Sequence, residues 1–212
     1  MSIDVISIME SVGAILRDDH FVFTSGKHSD VYVDKATLFP HVEQTCEVGR
    51  MMAEKISHLD VETVVGPALA GIVLSQWVAY HLTKMKKKPI YSVFAEKDGK
   101  GGFLFKRGYD AYIRQKKVVV LEDTMATGST TRKVVNLVRA TEGQMQAVCA
   151  MVNRDPANIN DKMFGAPLFT LADFVAKAYD EKDLPKEIRQ RPINTTVGHG
   201  KEYLENKNNK KK

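Results

Sequence analysis

The sequence is poor in cysteine and has no long apolar run, and each shortage closes off a class of protein. Two cysteines, Cys46 and Cys149, among 212 residues build neither a disulfide framework nor a zinc site. Both sit in apolar patterns, which reads as buried thiols in a reducing cytoplasm. No apolar stretch approaches the roughly 18 residues of a membrane span, so no membrane partner is expected. The first 17 residues carry acids and no apolar core of the kind that precedes a cleavage site, so they do not read as a secretory signal. The six histidines show neither HExxH nor paired metal spacing. There is no G-x-S-x-G elbow, and Gly26-Lys27 lacks the glycine upstream and the hydroxyl downstream of a Walker loop. No internal repeat is present.

Basic charge on the folded part is also scarcer than the net +5 suggests. Lys207, Lys210, Lys211 and Lys212 crowd the C-terminus, leaving about +1 for everything else. A nucleic-acid-binding domain wants a basic face on its fold, so no nucleic-acid partner is expected. Residues 204–212 read as a disordered basic tail, and residues 1–203 as a single domain.

What is present is organised around Val118-Val119-Val120-Leu121-Glu122-Asp123-Thr124-Met125-Ala126-Thr127-Gly128-Ser129-Thr130-Thr131. Four apolar residues, three of them β-branched, suit a strand buried on both faces of a parallel sheet. Two carboxylates end it, a loop of small and hydroxyl residues follows, and from Ser129 the pattern turns helical, with Val134, Val135, Leu137 and Val138 apolar. A loop entering a helix presents unpaired backbone N–H groups at the positive end of the helix dipole, where small residues let a phosphate approach. Glu122 and Asp123 would repel that phosphate but can accept hydrogen bonds from sugar hydroxyls. The ligand that fits is a ribose carrying a 5-phosphate.

Along the chain, residues 2–16 read as an amphipathic helix. Two β-rich runs around Ser25-Gly26-Lys27 follow as a hairpin. A helix is expected over 41–57 and a buried strand over 61–65. Gly66-Pro67-Ala68-Leu69-Ala70-Gly71 then leads into a helix ending near Thr83, a second small-residue turn that could hold a second anion. After a strand over 90–94, Ala95-Glu96-Lys97-Asp98-Gly99-Lys100-Gly101-Gly102-Phe103 reads as a mobile, cationic, glycine-rich loop able to close over a reacting group. Residues 103–109 suggest a hairpin back to the central strand. A strand over 146–153 ends at Arg154-Asp155-Pro156, and residues 167–178 read as a short strand and an apolar helix.

The fourteen-residue central stretch resembles the signature of the type I phosphoribosyltransferases. The run Phe23-Thr24-Ser25-Gly26-Lys27-His28-Ser29-Asp30-Val31-Tyr32 resembles the N-terminal segment of the orotate phosphoribosyltransferases. The resemblance implies an α/β fold: a mainly parallel, roughly five-stranded sheet flanked by helices, with a small hood built from residues 18–38 and later segments. It implies transfer of ribose 5-phosphate from phosphoribosyl pyrophosphate (PRPP) to orotate, giving orotidine 5′-monophosphate and pyrophosphate in pyrimidine biosynthesis. By resemblance PRPP falls to Glu122, Asp123, Thr124, Ala126, Thr127, Gly128, Ser129 and Thr130, to the pyrophosphate loop Ala68, Leu69, Ala70 and Gly71, and to Lys97 and Lys100. Lys100, Lys97 and Asp123 are the implied catalytic residues, and Lys27, Thr127 and Arg154 the implied orotate contacts. Magnesium is the implied cofactor, held mainly by substrate oxygens. A cytoplasmic homodimer is implied, its loop reaching the neighbouring site. The sequence departs from the family at Thr24, where some members carry lysine, at Glu96, where many carry arginine, and in lacking a histidine soon after the loop lysines. The same chemistry on another base, and a non-catalytic PRPP or nucleotide sensor on this scaffold, remain open alternatives.

Overall fold

The computed structural model describes residues 4–209. Residues 1–3 and 210–212, with the start of the expected first helix and three of the four tail lysines, lie outside the described residues. The chain divides into two compact units: Phe39–Val175 with Asp4 and Val5, and Ile6–Leu38 with the residues from Ala176 onward.

The first unit is built on a six-stranded sheet. Its strands are β3 (Thr63–Pro67), β4 (Tyr91–Lys97), β5 (Phe103–Leu104), β6 (Lys117–Met125), β7 (Gln144–Asn153) and β8 (Leu168–Asp173), in the order β5-β4-β3-β6-β7-β8. Five run parallel, and only the two-residue edge strand β5 is antiparallel. Val118, Val119, Val120 and Leu121 are all 0% exposed, as a strand covered on both faces requires. Alternation sends Val118 and Val120 to the face where Val134, Val135 and Val138 of helix α4 (Ser129–Ala140) pack. Helices α2 (Val42–Lys55) and α3 (Ala70–Lys86) pack on each other, and α3 also packs on β3, β4 and β6.

The connections define a switch point. From β3 the chain passes through α3 to β4 on one side, and from β6 through α4 to β7 on the other. β3 and β6 are neighbours, paired Val65 to Val120, so the crevice at their carboxyl ends is where an open α/β sheet binds its ligand.

In the second unit, helix α1 (Val5–Ser11), all but its first residue in this unit, is followed by the antiparallel hairpin β1 (Ile15–Val22) and β2 (His28–Val33). The expected helix over 2–16 is cut short by Gly13, at φ +72°, beside which the Ala14 N–H bonds back to the Met9 carbonyl. The chain then becomes strand from Ile15. The stretch 192–201 gains a structural role, because Asn194 and His199 donate their N–H groups to the His20 and Val22 carbonyls. Thr24 Oγ1 also lies 2.9 Å from His199 Nε2. The expected tail starts as helix: Gly200–Asn209 is helical, with Lys207 paired to Glu181.

Two further expectations fail. Residues 174–178 form no helix: Phe174 N–H continues the ladder to the Asn153 carbonyl, and Tyr179 pairs with His28, so the segment is held extended. The hairpin expected over 103–109 turns earlier, at 98–102 between β4 and β5, and a single 3₁₀ turn (Tyr109–Tyr112) leads on to β6. No helix among the described residues is long and apolar enough to cross a membrane.

Candidate active site

Two helix starts meet the crevice, and neither is closed by its N-cap residue; at α4 the Ser129 N–H makes only a long 3.4 Å bond to Thr127 Oγ1. α3 begins after Leu69 and α4 after Gly128, without a side-chain cap or an acidic residue in the first turn. Elsewhere the fold does supply such groups: Glu43 lies in the first turn of α2, and Asn160 caps the short helix α5 (Asp161–Phe164) through the Lys162 N–H. An uncapped helix start leaves backbone donors and partial positive charge for an anion from outside.

The loop before α4 suits that guest. Ala126, Thr127, Ser129 and Thr130 are exposed, while Gly128 is buried beneath them at φ +67°. A side chain there would meet Met163 Sδ at 2.5 Å as well as strain the backbone. Thr124 is half-buried at the strand end. The loop before α3 is tighter. A Cβ on Gly71 would lie 2.6 Å from the Gly66 carbonyl carbon, so only glycines let the end of β3 and the start of α3 touch. Between them, Ala68 and Ala70 are half-buried and Leu69 is 82% exposed, and the Ala68–Leu69 peptide is cis.

The acids are placed differently from the expectation that they end the strand. β6 continues through both of them to Met125, and Glu122 and Asp123 are 6% and 0% exposed. Alternation points them to opposite faces of the sheet. Glu122 faces α4, where its Oε2 accepts the Thr131 hydroxyl at 2.9 Å. Asp123 turns to the other face, with Oδ1 against the Thr124 N–H.

Thr131 escaped the sequence reading, although a signal existed. Positions 131, 134, 135 and 138 form the buried stripe of α4, and Thr131 is the single hydroxyl on it. A polar group on an apolar stripe calls for a partner, and here the partner is Glu122.

The glycine-rich loop is compact. Asp98 Oδ1 accepts the N–H groups of Lys100 at 2.7 Å and Gly102 at 2.8 Å, and the Asp98 N–H bonds the Gly102 carbonyl. Those amide bonds hold the Asp98 carboxyl below its ordinary pKa. Lys133 of α4, also missed, donates to the Gly101 carbonyl at 2.6 Å. Lys97 and Lys100 are exposed, and Glu96 pairs with Lys106 and Arg107 instead. Arg154 is half-buried, its N–H on the Met125 carbonyl at 2.8 Å, which sets it beside the start of the phosphate-type loop. Lys27 belongs to the second unit, where its Nζ lies 3.5 Å from Asp180. Among the described residues no group of three or more His, Cys, Asp or Glu side chains could hold a metal ion.

Residues 38–166, nearly the span of the first unit, match the phosphoribosyl transferase domain. The orotate phosphoribosyltransferase of Thermotoga maritima is 34% identical over 179 residues, covering 84% of this chain and 89% of that protein. That of Caulobacter vibrioides is 33% identical over 192 residues, covering 90% and 93%. The chain belongs to the orotate phosphoribosyltransferase family. A crystal structure of a family member, the Mycobacterium tuberculosis H37Rv enzyme in complex with Fe(III) dicitrate, superposes with a TM-score of 0.64 at 20% identity, covering 81% of this chain and 96% of that one. The family fold is thus an α/β sheet with helices on both faces and its loops at the strand tips.

Proposed function

We propose that this orotate phosphoribosyltransferase binds PRPP across the β3–β6 switch point and transfers its ribose 5-phosphate to orotate, releasing pyrophosphate, in pyrimidine biosynthesis. The observation that carries the assignment is the pair of uncapped helix starts after adjacent parallel strands, with no acid in either first turn. Two anion cups side by side suit a sugar with a phosphate at one end and a pyrophosphate at the other. Thr127, Gly128, Ser129 and Thr130 would receive the 5-phosphate, and Ala68 to Gly71 the pyrophosphate.

The reaction is substitution at the anomeric carbon, so positive charge builds on the ribose ring as the C–O bond to pyrophosphate lengthens. Glu122 and Asp123 stabilise that charge and orient the 2- and 3-hydroxyls. Both carboxylates are buried, so PRPP must displace what covers them. Lys97, the last residue of β4, and Lys100, on the loop after it, would take up charge on the departing pyrophosphate, with Lys100 the nearer to the chemistry. Magnesium, when bound, would neutralise pyrophosphate charge, and it fits as an ion carried on substrate oxygens and water. Arg154, fixed by Met125, offers a planar guanidinium to the orotate carboxylate. Thr127 is assigned beside it, and the assignment of Lys27 to the base rests on the Ser-Gly-Lys resemblance alone.

A cytoplasmic homodimer is part of the proposal. Exposed Tyr80 and Met85 on α3 and Val42 at the start of α2 support an apolar contact between copies, and two free thiols suit a reducing compartment. For the loop to reach a neighbouring site, the Lys133–Gly101 bond must open.

The test mixes the full chain with PRPP, magnesium and each candidate base and follows pyrophosphate release. Release with orotate, and a turnover loss in Lys100→Ala far larger than any loss of orotate affinity, is expected. Release with a purine but not orotate, or no release with any base, overturns the assignment.

A further inference from the structure

A pocket of about 860 Å³ opens within the second unit, and the proposed chemistry does not use it. His20 and His28, 4% and 1% exposed, stand in its wall with Lys182, Arg189 and Arg191. Its two acids already have cationic partners outside the lining: Asp180 pairs with Lys27 and Glu181 with Lys207. The charge left over is therefore positive. Arg191 lies 3.9 Å from Asp18, whose carboxylate is 87% exposed, and its charge also acts on Asp19, so it has no close carboxylate partner among the described residues. Arg189 Nη2 donates to the carbonyls of Glu181 and Lys182 at 3.3 and 3.2 Å, which fixes its guanidinium at the wall.

The histidine pair adds a directional requirement. His20 Nδ1 lies 3.1 Å from the Arg191 carbonyl, which can only accept, so Nδ1 carries the hydrogen. With its hydrogen on Nδ1, His20 offers Nε2 as an acceptor, 2.8 Å from His28 Nδ1, so His28 Nδ1 donates. Burial, and then His20, push the His28 pKa below its ordinary value, which keeps the ring neutral at pH 7. The result is an acceptor on His28 Nε2, buried and without a hydrogen-bond partner among the described residues. Such an atom is satisfied by a bound donor. Tyr203 packs edge-on to the His28 ring, centroids 5.0 Å apart, and is itself hydrogen-bonded to Glu181.

We infer that this pocket binds a nucleotide-sized organic phosphate, its anion on Arg189, Arg191 and Lys182 and a hydroxyl or N–H of its neutral part on His28 Nε2. The volume is that of a small-molecule site and far exceeds a bare phosphate. Leu184 and Ile193 in the wall supply apolar surface for the neutral part.

Equilibrium dialysis of the full chain with uridine and adenosine 5′-monophosphates tests this, with uridine, adenosine and inorganic phosphate as controls. The double variant Lys182→Gln/Arg191→Gln changes two side chains but leaves the Arg191 carbonyl that orients His20. Glu122→Gln impairs the strand-tip site instead. At least one nucleotide is expected to bind at least tenfold more tightly than its nucleoside or phosphate. Glu122→Gln should retain that binding, and the double variant should lose tenfold or more while releasing pyrophosphate at the wild-type rate. No nucleotide binding, or binding kept by the double variant and lost with Glu122→Gln, overturns the inference. Failure of the catalytic assignment would appear separately, as absent pyrophosphate release in the wild type.

Discussion

The Thr131 hydroxyl donates to Glu122 Oε2 at 2.9 Å, both residues buried, and so joins the first inward position of α4 to the acidic pair of β6. That bond fixes the side on which Glu122 can meet a sugar. Thr131→Val keeps the shape and removes the donor. PRPP affinity should fall roughly 10- to 100-fold, since a hydrogen bond to a charged group contributes roughly 1.5–3 kcal/mol. Thr131→Ser should restore it, and orotate KM should not move. Titration of PRPP against the three proteins checks this; equal affinity in all three would remove Thr131 from the site.

Arg154 is held at the strand tip through its own N–H on the Met125 carbonyl, so its side chain can change without unseating the backbone. Arg154→Ala should raise orotate KM by roughly 10- to 100-fold, the loss of a paired charge-assisted contact, and leave PRPP KM within about twofold. Arg154→Lys should recover little, because an ammonium does not match a carboxylate in two places. Steady-state kinetics with each substrate varied in turn separates these outcomes from a general loss of folding.

The central strand, both small-residue turns and the parallel order were legible because each rests on a short, strong pattern. The Val118–Leu121 run and the glycines at 66, 71 and 128 have few alternative readings. What escaped depended on partners distant in sequence. Glu122 and Asp123 look like a strand end, yet β7 continues beside them to Asn153 and carries β6 to Met125. Residues 174–178 have helical composition, but backbone pairing at Phe174 and Tyr179 stretches them. Gly13 ends α1 by its positive φ, a signal masked by the apolar residues on either side. Cys46, expected buried, is half-buried, its Sγ 3.3 Å from Nε2 of His81 on α3, a neighbour 35 residues on that local pattern does not reveal.

The two thiols should therefore react differently. Burial pushes Cys149 up to about 12, so it carries almost no thiolate at pH 8 and is out of reach of reagent. Iodoacetamide should label one thiol per native chain, at Cys46, and two after denaturation. Peptide mapping reads the site; native labelling at Cys149 would contradict its burial in β7.

The second unit should lose stability in mild acid. His28 has a folded-state pKa below the ordinary 6.5, caused first by burial and then by His20, with Glu181 opposing and Lys207 adding to the effect. The unfolded chain then binds more protons at this residue, so the contribution is complete above about pH 6.5 and falls as pH drops from there to the folded-state pKa. Glu181 and Asp19, whose values are lowered by Lys207 and Asn194, begin to matter only in more acid solution. Thermal unfolding between pH 7.5 and 5 should show a falling Tm in the wild type and a flatter profile in His28→Gln. Parallel profiles would contradict the buried neutral ring.

The most direct measurement is a crystal structure of the chain soaked with PRPP and magnesium. The 5-phosphate should lie on the backbone N–H groups of residues 127–130 and the pyrophosphate against residues 68–71. Both ribose hydroxyls should stand within hydrogen-bond distance of Glu122 and Asp123, now uncovered. PRPP bound away from these loops, or bound there with both carboxylates still sealed in the sheet, would contradict the account.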